Sequence, residues 1–71
     1  MWDKGNINGY EWHVKHYDEA NEELGINGGK ISKLFIYKGD KAVVSYDREW
    51  IKKPATNIAK DIFNMLVYRF N

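Results

Sequence analysis

His13 and His16 are the two histidines of the chain. A three-residue spacing on a helix could join two metal ligands. They fall in the alternating run Tyr10–Tyr17, which reads as a strand, and residues three apart on a strand point to opposite faces. There is no cysteine, so a zinc site would need carboxylates brought from elsewhere. No metal and no cofactor are expected. The candidate nucleophiles are Ser32, Ser45, Thr56 and the tyrosines. Both serines sit in strand-like runs without the strained turn of a nucleophile elbow. Asp47 and Glu49 read as solvated strand-end charges rather than an acid–base pair. Gly25-Ile26-Asn27-Gly28-Gly29-Lys30 is rich in glycine but lacks the spacing of a phosphate loop, and a strand follows it, not a helix. These residues point away from an enzyme.

The chemistry that remains is recognition by aromatic rings. The chain holds three Trp, five Tyr and three Phe. Phe35, Tyr37 and Tyr46, with Lys33 and Trp12 nearby, form the candidate binding set. Aromatic anchors dominate protein–protein hot spots. The same rings beside a lysine would also serve as a stacking platform for nucleic acid. A second candidate is the acidic connector with Asp18, Glu19, Glu22 and Glu23, which would suit a basic groove on a partner.

The elements that must position these residues follow from periodicity and turn chemistry. Trp2–Ile7 and Tyr10–Tyr17 flank Asn8-Gly9, the strongest hairpin signal in the chain, because a type I′ turn needs positive φ at both central positions. In that register Gly5 faces Trp12 and leaves room for the indole. Residues 18–29 form a connector, with one helical turn ending in a left-handed cap at Gly25 and further positive φ around Asn27-Gly28-Gly29. Ile31–Lys38 and Lys41–Asp47 form a second hairpin around Gly39-Asp40. A two-residue turn pairs Ile36 with Val43, Phe35 with Val44 and Leu34 with Ser45. Leu34, Ile36 and Val43 then share one face, and Phe35, Tyr37, Val44 and Tyr46 the other. Arg48–Lys53 leads out of the sheet. Pro54 opens a helix in which Ala55, Ile58, Ala59, Ile62, Met65 and Leu66 recur at helical spacing.

The expected fold is therefore α+β: a four-stranded antiparallel sheet of two hairpins with one C-terminal helix across one face. A three-stranded sheet with a loose N-terminal strand is the alternative. One helix covers one face, so the other meets a partner, a second copy or water. Leu34, Ile36 and Val43 are expected beneath Ile58, Ile62 and Leu66.

Seventy-one residues make one domain, 1–71, with a thin core. The absence of cysteine fits a cytoplasmic setting. No segment approaches the ~18 apolar residues of a membrane span. The net charge is +1, unevenly spread. Residues 1–29 hold two lysines against six carboxylates, and residues 30–53 seven cations against three carboxylates. The two halves are expected to pair with each other.

Gly25-Ile26-Asn27-Gly28-Gly29-Lys30-Ile31-Ser32-Lys33-Leu34, followed by Val43-Val44-Ser45-Tyr46-Asp47-Arg48-Glu49-Trp50, resembles a family of short uncharacterised proteins from phages, prophages and conjugative elements of Gram-positive bacteria. The similarity spans about residues 7–54. It implies a small accessory protein in the cytoplasm of a bacterial host, of a kind that binds and blocks a host factor or a defence nuclease, CRISPR effectors included. The expected function is thus a non-enzymatic interaction protein with a host or defence protein as partner. A nucleic-acid-binding domain is the alternative, and a homodimer is compatible with either.

Overall fold

The computed structural model describes residues 1–71. Five strands form one antiparallel meander in chain order: β1 (Trp2–Ile7), β2 (Tyr10–His16), β3 (Ile31–Lys38), β4 (Lys41–Asp47) and β5 (Trp50–Lys52). The helix α1 (Asn57–Phe70) packs across one face. The architecture is the expected α+β, with five strands where four were expected. The addition is β5. Arg48 takes a positive φ of 60°, which folds the chain back so that Trp50 pairs with Tyr46. Trp50 packs edge-on against Tyr46 at 5.2 Å and against Phe63 at 5.3 Å.

The first hairpin forms as its turn residues dictate. Asn8 and Gly9 have φ of 51° and 84°, and Asn6 Oδ1 accepts the Gly9 N–H at 3.0 Å. β1 is not loose, since it pairs with β2 from Trp2↔Lys15 through Ile7↔Tyr10. Gly5 lies opposite Trp12, and a Cβ there would sit 2.6 Å from the indole ring.

The second hairpin departs from the expected register. Lys38↔Lys41 and Tyr37↔Ala42 pair as anticipated, but Ile36 then pairs with Val44 and Leu34 with Tyr46. Val43 is an extra residue, a β-bulge. The regular register would have turned Val43 and Ser45 toward the helix. The bulge turns Val44 and Tyr46 there instead, and Val43 still packs at the margin of the core. Replacing a serine by a tyrosine ring buries far more apolar area, at about 25 cal/mol per Å². Similar one-residue shifts occur at Ser32 and Ile51.

The helix begins three residues beyond Pro54. Thr56 is its N-cap, accepting the Ala59 N–H at 3.2 Å. Its buried stripe is Ala59, Ile62 and Leu66, which lie over Val14, Ile31, Leu34, Ile36 and Val44. Ile58 and Met65, expected beneath the helix, are 40% and 41% exposed. The small Ala59 occupies the contact line, and Ile58 is rotated ~100° away from it.

The connector between β2 and β3 is compact. Gly25 N–H bonds to Asn21 O at 2.9 Å, closing one helical turn. Gly25 itself has φ −79°, so the expected left-handed cap is absent there, and positive φ falls at Asn27 and Gly28 instead. A side chain at Gly25 would collide with the Gly29 carbonyl. Asn71, beyond the last turn of α1, accepts the Ile31 N–H on Oδ1 and donates from Nδ2 to Ile26 O, both at 3.0 Å. The helix end is thereby tied to the connector. No helix is long and apolar enough to cross a membrane.

Candidate interaction surface

The sheet face opposite α1 is open. From β1, β2 and β3 it presents Trp2, His13, Lys15, Lys33, Phe35 and Tyr37, which alternate with the more buried residues of the same strands. Trp2 and Phe35 stack with centroids 6.5 Å apart, and Phe35 and Tyr37 at 6.4 Å. His13 meets Tyr37 edge-on at 5.9 Å. A continuous aromatic row thus crosses the middle of the face. Trp2 is 51% exposed, while Phe35, Tyr37 and His13 are half-buried by one another. Rings held in this way lose little freedom on meeting a partner.

The charged groups of this face are largely paired within it. Lys33 Nζ lies 3.6 Å from Asp47 Oδ1, which also meets Arg48 at 3.3 Å. Glu11 lies 3.2 Å from His13 Nε2. Lys4 and Lys15 have no carboxylate within 4.0 Å.

Of the residues singled out from the sequence, Phe35, Tyr37 and Lys33 come together here. Tyr46 and Trp12 do not. The Val43 bulge moves Tyr46 to the helix side, where it is 6% exposed and donates its hydroxyl to Leu24 O at 3.0 Å. Burial raises its pKa above the ordinary value. Trp12 is 5% exposed, beneath Gly5 and against Phe70 at 5.6 Å, and its Nε1–H has no partner. Both residues hold the core, and neither lines the open surface. Trp2 and His13 take their places. The Asn8-Gly9 register had already set Trp2 beside Lys15, two positions from His13 on the same face, so alternation alone could have found them.

Asp18, Glu19, Glu22 and Glu23 are all exposed on the connector. None is within 4.0 Å of a cation. The expected pairing of the acidic and basic halves is not made: Lys38 and Lys41 stand at the far end of the sheet, and Lys33 and Arg48, nearer the connector, pair with Asp47 instead. His13 and His16 diverge as their strand spacing dictates. His13 faces Tyr37, and His16 stacks on Phe70 at 5.2 Å and bonds Asp3 at 2.8 Å. No three His, Asp or Glu side chains converge as metal ligands.

Fold and surface together define a small α+β domain with one covered and one open sheet face. The chain belongs to the family described as a domain of unknown function, DUF7678, whose model matches residues 1–71. The match covers the helix and β1 as well as the 7–54 segment. No curated protein and no solved structure matches the chain.

Proposed function

We propose that this domain is a non-enzymatic interaction module that docks a protein partner on the open sheet face. The observation that carries this reading is the Trp2–Phe35–Tyr37 row with His13, a partly exposed aromatic stripe centred on a rigid sheet. Such stripes supply the anchors of protein interfaces. Lys33 is paired with Asp47, and the two unpaired cations of the face, Lys4 and Lys15, lie on β1 and β2 beside the aromatic row and form no continuous basic track along it, which favours a protein over a polyanion at this face. The resemblance to proteins of Gram-positive phages and conjugative elements extends the proposal. The partner would be a host or defence protein in the bacterial cytoplasm, and binding would inhibit it.

The test is an affinity pull-down from bacterial lysate with the wild type and a Phe35→Ala, Tyr37→Ala double variant, each treated with nuclease. A single partner that survives nuclease, is captured by the wild type and is lost with the folded double variant supports the proposal. Equal capture by both removes this face from consideration.

A further inference from the structure

We infer that the turn end of the sheet, built by Lys38, Lys41, Lys52 and Lys53, is a contact surface for the phosphate backbone of nucleic acid. The surface is separate from the open aromatic face. Lys38 and Lys41 are direct cross-strand partners beside the Gly39-Asp40 turn. Like charges placed opposite each other on a hairpin oppose its formation. Lys52 reaches the same end, since its Nζ donates to Ala42 O at 3.1 Å, and the exposed Lys53 is the next residue of the chain. Lys41 and Lys52 flank a cavity of about 180 Å³, lined also by Val43, Ala55, Thr56 and Ala59.

None of these four lysines has a carboxylate within 4.0 Å. Asp40 lies in the turn itself, and Glu11, one residue along β2, is engaged with His13. The acidic connector departs from the far end of β3. Eight residues of strand put it ~23 Å away. That is more than two Debye lengths at physiological salt, about 8 Å each, so the connector does not neutralise the patch. An acidic protein would also be attracted. However, no exposed Trp, Tyr or Arg stands among the lysines to anchor a protein interface; Tyr10 is half-buried, with Lys38 Nζ 4.8 Å over its ring. Lysines act as mobile point charges and suit an evenly charged backbone. Contact of this kind carries no base specificity.

The test is fluorescence anisotropy with labelled short duplex DNA and the full chain at several salt concentrations. Four phosphate contacts predict an affinity that falls about a hundredfold between roughly 50 and 200 mM salt. A Lys41→Gln, Lys52→Gln variant should reduce that fall to about tenfold. Lys4→Gln, Lys15→Gln on the open face, and Phe35→Ala, Tyr37→Ala, should both behave as the wild type. The latter arm separates failure here from failure of the protein-docking proposal. Thermal melts confirm that each variant is folded. Three results would each overturn the inference: no binding at the lowest salt, an unchanged salt dependence in the Lys41, Lys52 variant, or displacement of the duplex by polyglutamate as readily as by unlabelled duplex.

Discussion

Tyr46 is 6% exposed and packs into the core on the helix side of β4. Its ring has the character of a binding anchor, yet its phenol is spent on a tether. The hydroxyl bonds to Leu24 O at 3.0 Å and holds the connector against the sheet. A net contribution of about 1 kcal/mol is usual for such a bond. In a domain of this size that corresponds to about 4–8 °C in melting temperature. Tyr46→Phe should therefore melt lower than the wild type at neutral pH by about that amount. The pH dependence then has a definite sign. Burial raises the folded-state pKa above the ordinary 10.0. The unfolded chain gives up this proton first, so the stabilisation is complete below pH ~10 and is lost as pH rises through the folded-state value. The gap between wild type and Tyr46→Phe should narrow in melts taken above pH ~10. A gap that stays constant to pH ~11 would show that the phenol is not buried as described.

Among the elements, the β3–β4 hairpin decides which residues face the helix. The Gly39-Asp40 turn was legible, as were the two pairs next to it. So were the Asn8-Gly9 turn, the Gly5–Trp12 fit and the amphipathic helix. Each rests on a local rule that a few neighbouring residues obey. The Val43 bulge was not legible, because alternation carries no mark for an extra residue when Val43 and Val44 are chemically alike. The cause lies in the tertiary contact: a bulge buries Tyr46 where a regular strand would bury Ser45. The same blindness hid β5, whose formation turns on a positive φ at Arg48, a residue type with no preference for it. Deletion of Val43 separates the two registers. With the bulge present in the native sheet, removing it leaves Ile36↔Val44 and Leu34↔Tyr46 intact and costs only the margin contacts of Val43. The deletion variant should fold, with a loss of about 1–2 kcal/mol as for removal of a partly buried aliphatic side chain. Were the native strand regular, the deletion would reverse every following side chain and abolish cooperative melting.

The two faces of the one sheet are unequal, since the helix covers only one of them. Only 13 of 71 residues are buried, and the large apolar ones among them lie on or beneath the helix side. Stability is therefore held by one face, which leaves the other free to vary with little structural penalty. Two residues of β3 make the comparison sharp. Leu34 is fully buried and touches the helix side, whereas Tyr37 lies three positions along on the open face. Strand and sheet context are shared, and Tyr carries the larger side chain, so a smaller loss at Tyr37 than at Leu34 would report the difference between the faces. Leu34→Ala should cost about 2–5 kcal/mol, enough to unfold much of a domain whose total stability is of that order. Tyr37→Ala removes a half-exposed ring whose aromatic neighbours are Phe35 and His13, and should cost about 1 kcal/mol or less. Urea melts of the two variants measure this directly. Equal losses would mean that the open face is part of the core, and the case for docking on the aromatic row would fall with it. The predicted inequality would leave Tyr37 a ring whose removal barely weakens the fold, and partner capture by the Tyr37→Ala protein would then measure binding with the structure held constant.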